Sequence, residues 1–163
     1  MNKKQTDLPL TPFNFDFHGD MLSAGDIARG VCRLFANMRY EPLTEFPLSN
    51  NRRVDVIGLD KQSQFIVAEV KASERDFRAD GKWPEYLPHC DAFYFAVAGG
   101  FPLEILPEDA GIIVADAFHG AIVRPAPKRK MNGTRRRNQI LRFAIKAARR
   151  LHRDRDVRRD DRI

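Results

Sequence analysis

Apolar residues recur at helical spacing through Ile27, Val31, Leu34, Phe35 and Met38, which predicts a helix with one stripe turned to a core. Ser23 offers an N-cap oxygen at its start and Asp26 adds negative charge to its first turn. The pattern stops near Arg39. Residues 40–48 carry Pro42 and Pro47 and read as an edge or bulged strand, and Ser49-Asn50-Asn51 then reverses the chain. Two apolar runs, 54–59 and 65–68, are joined by the polar segment Asp60-Lys61-Gln62-Ser63, the pattern of a hairpin. A short helix capped by Ser73, with Asp76 three residues on, follows. After Gly81 a second helical segment begins, with Pro84 near its first turn and Lys82 and Tyr86 on one face. Trp83, the single tryptophan, is expected to pack.

Residues 91–98 (DAFYFAVA) read as a buried strand ended by Gly99-Gly100, and 111–115 and 121–124 as two short strands around a turn with His119 and Gly120. A last helix is predicted over 135–152, with Ile140, Leu141, Phe143, Ala144, Ala147, Ala148 and Leu151 apolar and arginines over the rest. Beyond Arg153 the alternation of Arg and Asp predicts disorder. At the other end, residues 1–22 read as an extended arm with Phe13, Phe15 and Phe17 along one side. Those rings either pack the arm onto its own domain or stack on bases.

The hairpin carries charges where core strands should have none. Side chains alternate along a strand, so Phe65, Val67, Glu69 and Lys71 share one face and Ile66, Ala68 and Val70 the other. Ending a central strand with a buried Glu and Lys costs several kcal/mol unless each is compensated. Asp55 sits inside the preceding apolar run, facing the same way as Arg53 and Ile57. If the register brings that face over Glu69, two carboxylates and an ammonium converge, and carboxylates held together repel unless a cation or a proton lies between them. A hard divalent ion such as Mg²⁺ is the simplest compensation. A turn centred near Asn50 would also set Glu45 opposite Asp55; Glu45 then either shares that cation or pairs with Arg52 or Arg53 at the solvent edge.

Length and charge refine this reading. A chain of 163 residues suits one domain with a sizeable core, here 23–125, preceded by the arm and followed by a basic helix and tail over 126–163. Cys32 and Cys90 lie in apolar patterns without ligand spacing and read as reduced packing residues. No apolar run suggests a leader or a membrane span, so a cytoplasmic protein is expected. From Arg124 onward stand 16 of the 28 basic residues but 4 of the 22 acidic ones. Such asymmetry marks either an extension that holds phosphate backbones or a solvated tail, and Lys128, Arg129, Lys130, Arg135, Arg136 and Arg137 are the candidate DNA contacts.

The order helix, strand, strand with Asp55, strand with Glu69-Val70-Lys71, helix, strand resembles the core of the PD-(D/E)XK nuclease superfamily. RRVDVIGLD, the EVK triplet and DFRADGKWPEYLPHCDAFYFAV are similar to the bacterial MmcB family of DNA-repair endonucleases, over residues 22–125. The resemblance implies an α/β fold: a restriction-endonuclease-like mixed sheet flanked by helices. It implies Asp55 and Glu69 as metal-binding carboxylates, the Val70 carbonyl in the metal shell, and Lys71 as the lysine that orients or activates the attacking water. Lys82 and Tyr86 would be further site residues. The first helix departs from the superfamily pattern, since it has no Glu and offers only Asp26. The implied function is a Mg²⁺- or Mn²⁺-dependent DNA endonuclease in repair, with DNA and other repair proteins as partners, room for a homodimer, and no membrane. The alternatives are a non-cleaving scaffold of the same fold that binds DNA or a repair partner, and an unrelated domain in which Glu69 and Lys71 simply pair.

Overall fold

The computed structural model describes residues 22–156. The expected N-terminal arm with Phe13, Phe15 and Phe17, and the expected disorder over 157–163, lie outside the described residues.

Short connections can only reverse a strand, whereas a parallel neighbour needs a crossover. Loop length therefore orders the sheet. Strands β1 (Tyr40–Pro47), β2 (Arg53–Asp60) and β3 (Phe65–Lys71) follow one another through tight turns and pair antiparallel. Between Lys71 and β4 (Ala92–Val97) the chain makes helix α2 (Glu74–Ala79) and a 3₁₀ helix, Trp83–His89, and β4 pairs parallel to β3. A further crossover containing the single 3₁₀ turn Leu103–Ile105 leads to β5 (Gly111–Ala115), parallel to β4, and a last hairpin adds β6 (Gly120–Arg124). The six strands lie in sequence order, so this is a mixed α/β sheet with β3 and β4 at its centre. All seven residues of β3 are buried.

Each sheet face has its own core. Helix α1 (Ala24–Asn37) lays Ile27, Val31 and Phe35 on one face, against Val56, Ala68, Tyr94 and Ile113. Ser23 and Asp26 close a reciprocal capping box at its start. The helix approaches the β5–β6 turn so closely that a Cβ on Gly30 would stand 2.1 Å from the Asp116 carbonyl oxygen. On the opposite face Ile57, Val67, Phe93 and Phe95 are covered by Phe77 of α2 and by Tyr86 and Trp83 of the 3₁₀ helix. Trp83 stacks on Phe93 at 5.7 Å, the packing role its sequence context predicted.

The same face receives α3 (Gly133–Arg155). Its Phe143 packs between Phe46 and Phe65, 5.9 and 6.1 Å away. The Gln139 amide donates to the His89 carbonyl at 2.7 Å. Two sequence expectations are corrected here. The helix continues past Arg153 to Arg155, and only part of its apolar set packs: Ile140 and Phe143 meet the core, whereas Leu141 and Leu151 are 62% and 52% exposed. Guanidinium groups complete the docking. Arg136 grips Asp91 with two bonds of 2.7 and 2.6 Å, Arg142 donates to the carbonyls of Pro47 and Leu48, and Arg150 donates to that of Thr44. Long Arg stems cover apolar surface while their heads satisfy backbone oxygens, which periodicity cannot reveal. Both cysteines are free, with Cys90 buried. Among the described residues no helix is long and apolar enough to cross a membrane.

If α3 is held through one ring rather than through its leucines, Phe143→Ala costs about 3 kcal/mol of unfolding free energy while Leu141→Ala changes it by less than about 0.5. Urea denaturation of the two variants checks this, and equal costs would reverse the assignment of faces.

Candidate active site

The β2–β3 ladder runs from Leu59↔Phe65 to Val56↔Ala68 and stops there. One step further the register would set Asp55 against Glu69, the face-to-face arrangement anticipated from alternation. The strands part instead, and the Asp55 carboxylate accepts the Val70 N–H at 2.8 Å in place of a backbone oxygen. Within a strand a residue's N–H and C=O project to the same side, so the Val70 carbonyl faces the same gap.

Glu69 and Lys71 point from β3 into this gap and are 6% and 3% exposed. Lys71 Nζ is 3.5 Å from Glu69 Oε1 and 2.7 Å from an oxygen of Asp80. Asp80, the residue that ends α2, also accepts the Lys82 N–H at 3.1 Å. Two carboxylates thus share one ammonium, with Asp55 close by. Glu69 Oε2 is buried and has no hydrogen-bond partner.

The electrostatics follow from burial and crowding. Desolvation, with the Asp55 charge second, pushes Glu69 up to about 8, and desolvation also raises Asp55 against the pull of the Val70 N–H. Burial opposes the Lys71 charge, but the Asp80 hydrogen bond and the Glu69 carboxylate outweigh it and raise its pKa. Burial likewise works against the Asp80 carboxylate, and its bond to Lys71 holds it below the usual range. The Tyr86 hydroxyl is raised by burial and by the nearby Glu69, Asp80 and Asp55 charges.

Of the sequence candidates, Asp55, Glu69 and Lys71 therefore converge, with Val70 between them. Tyr86 lies close enough to feel all three carboxylates. Lys82 does not share its face: the segment is a 3₁₀ helix in which Lys82 is the exposed cap residue and Tyr86 is buried. Residues four apart are eclipsed in neither turn of that tighter helix, which repeats every three. Glu45 does stand opposite Asp55, flanked by the pairs Thr44↔Val56 and Phe46↔Val54. It leaves the ladder with φ 51°, however, and its carboxylate meets Arg53 Nε at 2.6 Å, both side chains more than half exposed. The solvent-edge pairing is thus the arrangement Glu45 adopts. Asp26 spends its carboxylate on Ser23 and Arg29 at the start of α1, on the sheet face opposite Glu69. Asp80 escaped the sequence reading because Asp-Gly after a short helix reads as turn chemistry.

The basic candidates divide. Arg136 is tied to Asp91, Arg129 donates to the Asp109 carbonyl, and Arg135 to that of Pro88. Lys128, Lys130 and Arg137 are exposed.

Among the described residues no three Asp, Glu, His or Cys side chains gather into a ready-made metal cluster. The donors that fit a hard cation are Asp55, Glu69 and the Val70 carbonyl, and the orphaned Glu69 Oε2 is an atom such an ion would satisfy.

A family model described as DNA repair protein MmcB-like matches residues 20–158. The solved structure of SPO1766, a protein of unknown function from Silicibacter pomeroyi, is 43% identical with a TM-score of 0.79, covering 83% of this chain and 93% of its own. A repair endonuclease from Pyrococcus abyssi aligns over 43% of this chain and 36% of its own at 23% identity, with a TM-score of 0.27. No curated protein matches.

The buried carboxylate gives a signed pH dependence. Folded Glu69 keeps its proton up to about pH 8, whereas unfolded it releases it near its ordinary value of 4.5. Between those values the folded state binds more protons, so in EDTA stability falls as pH rises through that window, by an amount on the order of a few kcal/mol. Glu69→Gln flattens this slope in thermal melts across pH. An unchanged slope in the variant would assign the effect elsewhere.

Proposed function

This chain belongs to the MmcB-like DNA repair protein family, and from that premise we propose that it is a divalent-metal-dependent DNA endonuclease whose working groups are Asp55, Glu69 and Lys71. One observation carries the reading: buried Glu69 Oε2 has no partner, while Glu69 and Asp80 both lean on the single ammonium of Lys71 and Asp55 lies close enough to raise Glu69. A protein has little reason to retain such an arrangement unless a cation completes it. Mg²⁺ or Mn²⁺ held by Asp55, Glu69 and the Val70 carbonyl would lower the pKa of a bound water and neutralise charge developing on a phosphodiester.

The chain's own residues divide the remaining work. Glu69 gives up its proton as a cation arrives, so metal affinity rises with pH toward about 8. Lys71, its pKa raised, stays an ammonium at neutral pH and serves as a positive charge that orients water and phosphate rather than as a base. Asp80 fixes where that ammonium sits and is a positioning residue. Tyr86, buried beside the carboxylates and kept protonated, is available as a hydroxyl donor. Arg52 and Glu85, joined by bonds of 2.7 and 2.9 Å, tie the β1–β2 turn to the 3₁₀ helix and so brace the Tyr86 side of the gap.

The test is cleavage of single-stranded, duplex and branched DNAs with Mg²⁺ or Mn²⁺, together with Mn²⁺ titration calorimetry. Asp55→Asn and Lys71→Ala should lower the cleavage rate at least about 100-fold, the scale of losing a charge-stabilising group at a reacting centre. Glu69→Ala should abolish Mn²⁺ binding yet melt cooperatively. Mn²⁺ affinity unchanged in Glu69→Ala removes the site. If every DNA survives intact but remains bound, the non-cleaving scaffold takes the place of the nuclease.

A further inference from the structure

Three shallow clefts of about 250, 310 and 290 Å³ lie end to end along α3. Arg142 lines both the first and the second, and Arg149 both the second and the third, so they form one continuous groove. Its far wall is the end of β1, through Phe46 and Pro47, and the turn residue Ser49. Arg135, Arg142, Lys146, Arg149 and Arg153 line it, spaced seven, four, three and four residues apart, which places them on a single helix stripe. From Arg135 to Arg153 the stripe is about 27 Å long at 1.5 Å per residue.

This stripe shares only Arg135 with the basic set that clustering in the sequence suggested. Arg136 is consumed by Asp91, and Arg137 lies on the solvent side of the helix. In the groove Arg142 and Arg135 each give donors to backbone carbonyls but meet no carboxylate, and Lys146, Arg149 and Arg153 have no ion pair or hydrogen bond to another described side chain. No Asp or Glu lines the first two clefts, and Asp156 marks the end of the third. A row of cations without counter-charges is costly through self-repulsion unless a polyanion covers it.

We propose that this groove seats the sugar–phosphate backbone of one strand of duplex DNA. The only Phe, Tyr or Trp in its wall, Phe46, is fully buried, which leaves the small imidazole of exposed His152 as the one ring a base could meet among five cations, so binding is chiefly through phosphates without sequence preference. A duplex carries the higher charge density and so profits most from such a stripe. The groove opens beside β1, which is hydrogen-bonded to the strand carrying Asp55, and α3 packs on the sheet face toward which Glu69 and Lys71 point. The choice of DNA over another polyanion rests on the function proposed above, but the binding itself does not require hydrolysis.

The experiment is fluorescence anisotropy with a labelled DNA duplex in EDTA across a KCl series, on the full chain. The triple variant Lys146→Gln, Arg149→Gln, Arg153→Gln should lower the slope of log affinity against log salt by about 2 to 3, at about 0.9 per phosphate contact. The charge-matched control Lys128→Gln, Lys130→Gln, Arg137→Gln should retain most of the slope. Equal losses in the two triples, or an unchanged slope in the first, would overturn the groove, with thermal melts confirming that both fold. Tighter binding of a single strand than of the duplex would overturn the occupant. Because no divalent ion is present, a chain that never cleaves DNA still reports on the groove.

Discussion

Burying Glu69 at the end of a central strand is the constraint around which the surrounding elements are arranged. A desolvated carboxylate beside a second one is unfavourable by several kcal/mol, and the protein meets that cost in parts. The parting of β2 from β3 lets Asp55 take a backbone donor. Lys71 supplies one positive charge, and Asp80 secures that charge. What is left over is one buried oxygen without a partner, Glu69 Oε2. Structure and chemistry meet at that remainder, because a fold optimised only for stability would have placed an apolar residue there.

The rest of the architecture braces this gap. Phe77 and Trp83 pack on Phe95 from α2 and the 3₁₀ helix, and Arg52 with Glu85 ties the same helix to the β1–β2 turn. The crossover needed to make β4 parallel to β3 is therefore also the element that roofs the site. On the other face α1 lies so tightly on the β5–β6 turn that only glycine fits at position 30. Strain or mobility in the gap would loosen the very distances on which ammonium and carboxylates depend.

Helix α3 serves two purposes with one residue type. Arg136, Arg142 and Arg150 fasten it to Asp91 and to carbonyls of β1 and the turn after it, while Lys146, Arg149 and Arg153 have no acidic partner among the described residues. In sequence these cations are indistinguishable, since each is a Lys or Arg on an amphipathic helix. Their separation comes from the helix's rotation about its own axis, which Phe143 and Gln139 set by entering the core. The apolar residues Leu141 and Leu151, which periodicity assigned inward, face solvent as a consequence.

Local pattern was enough for much of this protein. Strand alternation put Glu69 and Lys71 on one face, the turn at Asn50 set Glu45 opposite Asp55, and Ser23 and Asp26 marked the start of α1. These are near-neighbour properties governed by backbone periods and hydrogen-bond geometry, and a sequence displays them directly. Tertiary structure decided what depends on distant partners. It gave Lys71 to Asp80, turned Glu45 outward to Arg53, tightened 83–89 into a 3₁₀ helix so that Lys82 and Tyr86 diverge, and fixed which face of α3 is buried. Each outcome is a competition between alternative partners for one charged group or one helix face. Such competitions are settled by burial and by distances across the fold, neither of which a linear sequence contains.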